Sequence, residues 1–173
     1  RAVTAEDVRI EETHTSTTTE LSNGMQGFET VGAFLERDGW HPEKLTHRTA
    51  YRFDFSGNHG NLRCYAHVRP DLEQFLFYAV APIKAPESQR PVVAEYLTRA
   101  NAGLHIGNFE MDYGDGEIRY RSSLDFEGTV LTPALIKNAI YPAVHTMDFY
   151  LPGLLSVMYG QQAPEKAIEA IER

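Results

Sequence analysis

Apolar residues recur along this chain with two different periods, and the changes from one to the other mark out its elements. From Asn23 to Asp38 the period is helical: Phe28, Val31, Phe34 and Leu35 share one face, and Gly39 follows where a helix end favours a left-handed residue. Trp40 and Pro42 lead into an extended segment, and the period drops to two. Tyr51, Phe53 and Phe55 alternate with Arg52 and Asp54, while Leu62, Cys64, Ala66 and Val68 alternate with Arg63, Tyr65 and His67. Turns are expected at 56–61 and at Pro70-Asp71. The third strand, Gln74 to Val80, is apolar on both faces (Phe75, Leu76, Phe77, Tyr78), as in a central strand or one whose second face meets a partner. A second helix follows from Gln89 to Ala102, with Ser88 as N-cap, Pro91 in the first turn, and a stripe of Val92, Val93, Tyr96, Leu97 and Ala100 closed by Gly103.

The stretch from Asn108 to Arg121 predicts a β-hairpin. A two-residue turn at Asp115-Gly116 sets Tyr113 against Ile118, Asp112 against Arg119, Met111 against Tyr120 and Glu110 against Arg121. Apolar residues then meet apolar ones and each acid meets an arginine, a match that a one-residue slip destroys.

Thr132 and Pro133 start a third helix. Its apolar stripe runs from Leu135 to Met158, and Pro142 and Pro152 are expected to kink or break it. Either this is the main core helix, or part of the stripe packs on a second copy of the chain. A short helix, Pro164 to Ile171, comes last. The order α-βββ-α-ββ-α-α predicts an α+β fold: an antiparallel sheet of about five strands with helices packed on one face. Residues 1–21 are polar and Thr-rich without apolar period, and are expected to form a flexible or loosely docked arm before a single domain at 22–173.

A chain of 173 residues can bury roughly 70% of its unfolded surface, so no staple is required. The formal charge of −8 argues against nucleic acid and anionic membrane as partners, since both are held through clustered Lys and Arg. Cys64 is the lone cysteine, which excludes an internal disulfide and fits a reducing cytoplasm. The residues show no signal-peptide pattern and no apolar run long enough to span a bilayer.

Candidate chemistry changes this picture little. Seven histidines (His14, His41, His47, His59, His67, His105, His145) lack the short fixed spacings of zinc ligands. Cys64 shares its face with Leu62, Ala66 and Val68 and reads as a buried thiol, with His67 on the opposite face. Glu110 and Asp112, the best-placed acids for general acid–base work, are taken up by arginines in the hairpin. The glycines around His105 lead from helix to strand, the reverse of a phosphate cradle. No catalytic, cofactor-binding or metal-ligating residue is assigned.

Several segments resemble the YbjN-like family of bacterial sensory transduction regulators. They are Ala94-Glu95-Tyr96-Leu97-Thr98-Arg99-Ala100-Asn101, then Gly107-Asn108-Phe109-Glu110-Met111 with Asp115-Gly116-Glu117-Ile118-Arg119-Tyr120-Arg121, then Leu131-Thr132-Pro133 and Tyr159-Gly160 with Pro164-Glu165. Asp38-Gly39-Trp40 also fits, whereas the Thr-rich arm and the Pro142/Pro152 pair depart from the pattern. The resemblance implies a fold similar to type III secretion chaperones, homodimers that bind other polypeptides, and neither enzymatic activity nor cofactor. The expected function is a non-enzymatic, chaperone-like interaction or regulatory module. It would use a sheet edge or helix groove, with Phe75, Phe77, Tyr150, Leu154 and Met158 as the interaction surface. The alternative is a small-ligand sensor whose pocket, between sheet and helices, is lined by Tyr51, Phe53, Tyr65, Phe75 and Phe77. A hydrolase or metal enzyme using the histidines is the third reading.

Overall fold

The two-residue period buries one side of each long strand, and the helices collect on that side. In the computed structural model, which describes residues 19–173, the order is α1 (Asn23–Arg37), β1 (Glu43–Lys44), β2 (Ala50–Ser56), β3 (Asn61–Arg69), β4 (Gln74–Lys84), α2 (Arg90–Asn101), β5 (Asn108–Met111), β6 (Glu117–Asp125), α3 (Pro133–Tyr159) and α4 (Pro164–Ile171). The strands form one antiparallel sheet ordered β1-β2-β3-β4-β6-β5. The α+β class and the element order are those expected, with six strands in place of about five, because Glu43–Lys44 adds a short edge. Most of the expected arm, and His14, lie outside the described residues.

Local chemistry sets the helix ends. Ser22 Oγ accepts from the Met25 N–H, and at the other end Gly39 takes φ +79° so that the Trp40 N–H reaches the Leu35 carbonyl at 3.0 Å. Thr132 caps α3 as expected, through the Leu135 N–H. Ser88 does not cap α2: a 3-10 turn at Glu87–Gln89 tightens the entry and places Gln89 at the N-cap, without a side-chain bond. Val92, expected in the buried stripe, is exposed, while Val93, Tyr96, Leu97 and Ala100 are buried.

The core fills the space between sheet and helices. Phe53, Cys64, Phe75, Phe77, Ile118 and Tyr120 of the strands meet Phe28, Val31 and Leu35 of α1 and Ile136, Ile140, Val144 and Leu151 of α3. Helices α2 and α4 pack against α3 and each other, and α2 also meets β5.

Helix α3 is continuous through both prolines, so of the expected kink or break the break does not occur. Pro152 has no N–H to offer the carbonyl four residues back, that of Asp148. His59 Nδ1 lies 3.1 Å from that carbonyl oxygen and donates to it. The Asp148 carboxylate, on a residue only 6% exposed, accepts from the backbone N–H groups of Asn58 (3.1 Å) and His59 (2.8 Å). The β2–β3 turn is thus pinned to the middle of α3.

The β5–β6 hairpin keeps its expected faces but not its register. Glu110 pairs with Arg119, Phe109 with Tyr120 and Met111 with Ile118, two residues from the prediction. The loop holds four residues, Tyr113 to Gly116, instead of two. Asp112 Oδ1 accepts from the Gly114 N–H at 2.7 Å and Asp115 Oδ1 from the Glu117 N–H at 2.9 Å. Asp112 is therefore a turn-former and faces no arginine. An even shift leaves every side chain on its original face, which is why the alternation alone could not detect it. Gly116 (φ +80°) is required here, because a Cβ would lie 2.1 Å from the Ala85 carbonyl oxygen.

Candidate functional site

The strand residues that point away from the helices make an open sheet face. Cross-strand partners on it are Arg52 and Tyr65, Tyr65 and Tyr78, His67 and Leu76, Tyr78 and Arg121, Val80 and Arg119. Its centre is apolar: Tyr65, Leu76, Tyr78 and Val80 are half-buried although no helix covers them. Part of the shading comes from Arg119, whose guanidinium carbon sits 4.8 Å from the Tyr78 ring centroid. The loop after β1 lies close by, where Leu45 and Arg48 line one depression together with Tyr78 and Val80.

Charges frame this centre. Arg52 binds Glu43 at 2.6 Å and Arg63 binds Asp54 at 2.8 Å, exposed pairs worth about 0–1 kcal/mol each. Arg119 binds Glu110 at 2.5 Å, and Arg121 Nε is 3.7 Å from the same carboxylate without a hydrogen-bond partner. Burial, followed by the charges of Arg69 and Arg48, holds the His67 imidazole below its ordinary pKa. A 250 Å³ depression lined by Leu45, Arg48, Tyr65, His67, Tyr78 and Arg119 lies on the face. A wider one, 740 Å³, adjoins it between the start of α1 and the loop after β1, where Leu45, Arg48 and His67 again form part of the wall.

One sheet edge is closed by a side chain. Asn101, at the end of α2, accepts from the Phe109 N–H (2.7 Å) and donates to the Phe109 carbonyl (3.0 Å), standing in for the peptide of a neighbouring strand. An added strand on β5 would have to displace it. Asn101→Ala is expected to cost about 1–2 kcal/mol and to speed amide exchange at Phe109. Unchanged protection at that amide would show that the clamp is dispensable.

The predicted site residues lie elsewhere. Phe75 and Phe77 are fully buried, and Tyr150, Leu154 and Met158 are 7%, 1% and 5% exposed. All five belong to the chain's own core, so the surface expected from them is not a surface. The α3 stripe is covered by the sheet and the other helices, leaving Leu135, Phe149 and Tyr159 as its exposed large apolar residues. The aromatic pocket also fails to form: Tyr51, Phe53, Phe75 and Phe77 pack on the helix side, where Phe28 stacks on Tyr51 and Phe53 on Phe77, while Tyr65 points to the opposite face. The strand alternation already separated Tyr65 from that set. Arg48, Leu45 and Asn101 were missed, since a loop contact and an amide clamp leave no periodic signal.

Among the described residues no three of His, Cys, Asp and Glu converge as a metal site. Cys64 is buried, and desolvation pushes its thiol up to about 12. No described helix is long and apolar enough to cross a membrane.

Fold and face together define a class: an antiparallel sheet backed by helices on one side and open on the other. The chain belongs to the YbjN family, described as "Putative bacterial sensory transduction regulator", whose profile matches residues 28–156. Solved structures with a similar fold include "YbjN, a putative transcription regulator from E. coli" (TM-score 0.52, 16% identity, covering 69% of this chain and 84% of that one). Another is a chain of the ExsC-ExsE complex (TM-score 0.51, 11% identity, covering 75% and 94%). At these identities the likeness is one of fold. A search of curated proteins finds no sequence match.

Proposed function

We propose that this protein is a non-enzymatic, chaperone-like interaction or regulatory module that holds a segment of another polypeptide on the open face of its sheet. The observation that carries the reading is the apolar centre of that face, Tyr65, Leu76, Tyr78 and Val80, set within a charged frame. The fold likeness to a chain from the ExsC-ExsE complex, a protein seen with a protein partner, supports it. The homodimer expected in part from the α3 stripe now rests on the family resemblance alone, because that stripe is buried within one chain. A cytoplasmic setting suits the reading and the lone free thiol.

The test begins with affinity capture from the native host, followed by titration of each identified partner against the purified chain. Tyr78→Glu places a charge at the centre of the face, on a residue outside the core. The partner should bind saturably and lose about tenfold or more in affinity to this variant. Partners that bind Tyr78→Glu as well as the natural chain would remove the open face from the reading.

A further inference from the structure

We infer that the segment held by this chain is acidic and partly apolar, and that it lies in the groove running around Leu45 and Arg48 from the start of α1 onto the open face. This rests on the interaction reading above and names the chemistry of the partner.

The two depressions adjoin, with Leu45, Arg48 and His67 lining both. The wider depression is walled by Lys44, His47, Arg48 and His67, with Met25 and Phe28 beneath, and among the described residues no carboxylate lines it. That is unexpected in a chain of formal charge −8, where acids outnumber bases 24 to 16. Lys44 stands with its ammonium 5.3 Å from the Phe28 ring centroid, so the cation is held above an apolar floor. Its neighbour Glu43 is committed to Arg52. Among the described residues neither Lys44 nor Arg48 has a carboxylate within ion-pair distance. Burial lowers the His67 pKa most, and the neighbouring charges of Arg69 and Arg48 act in the same direction.

An extended peptide presents side chains alternately to two sides. Acidic residues along it would meet Lys44 and Arg48, while apolar residues between them would reach Met25, Leu45 and then Val80 and Tyr78. Nucleic acid is held chiefly through clustered Lys and Arg, and the wider depression offers it only Lys44 and Arg48.

The test uses the full chain and a short fluorescent peptide alternating glutamate and leucine, read by anisotropy at low and high salt. The lysine–leucine peptide and a single-stranded oligodeoxynucleotide serve as rivals. The glutamate peptide should bind best and weaken with salt, and Lys44→Glu with Arg48→Glu should lower its affinity about tenfold or more. Both positions are exposed, so unchanged thermal stability confirms an intact fold. Equal or tighter binding of either rival, or indifference to the double substitution, overturns the inference. If the glutamate peptide fails while an identified partner still binds and still responds to Tyr78→Glu, the acidic assignment falls and the interaction reading stands. If the partner ignores Tyr78→Glu, the interaction reading falls as well.

Discussion

Replacing Phe77 with alanine is expected to lower the stability of this protein by about 3–5 kcal/mol, the range for emptying a fully buried phenylalanine site. Phe77 has no exposed surface, stacks on Phe53 with ring centroids 5.9 Å apart, and sits in β4, which has a partner on both sides. A domain of this size has about 5–15 kcal/mol in total, so the variant should unfold at far lower denaturant. Leu76→Ala, one residue away on the open face, should cost much less, because that side chain is half-buried and leaves no closed cavity. Urea unfolding followed by fluorescence compares the two. A loss below about 1 kcal/mol for Phe77→Ala would place the residue outside the core and return it to the surface set first expected of it.

That pair of neighbours also shows what the sequence could and could not reveal. The run Phe75-Leu76-Phe77-Tyr78 correctly marks a central strand, yet both of its faces are apolar, so hydrophobicity cannot tell which one the helices cover. The answer lies in the neighbouring strands: Cys64 and Ala66 align with Phe53 and Tyr51 on one side and with Ala79 and Phe77 on the other, and carry those residues to the core. Element order and type were legible because they follow from periodicity over many residues. The hairpin loop was not, since registers two residues apart bury the same side chains and only the Asp112 and Asp115 turn bonds choose between them. The role of Arg48 was equally hidden. Its meaning depends on a loop lying over a strand far along the chain, and nothing local encodes that.

Asp148→Ala is expected to cost about 3 kcal/mol, because the backbone N–H groups of Asn58 and His59 together lose a carboxylate acceptor that is itself buried in the helix–turn contact. For a chain of this length that corresponds to a fall of about 6–12 °C in Tm. The turn has little room to compensate: a Cβ on Gly57 would already lie 2.2 Å from Asp148 Oδ1, which shows how closely turn and helix approach. Scanning calorimetry gives the loss, and a change under about 1 kcal/mol would mean that the turn finds other acceptors. The same measurement can isolate the part played by Pro152. His59→Ala removes the side-chain donor to the Asp148 carbonyl and should destabilise by about 1 kcal/mol in the natural chain. In a Pro152→Ala background the helix supplies its own N–H to that carbonyl, so His59→Ala should then cost nearly nothing. A positive coupling between His59 and Pro152 is the signature that the imidazole substitutes for the missing backbone donor. Strict additivity would show that α3 carries its proline without that help.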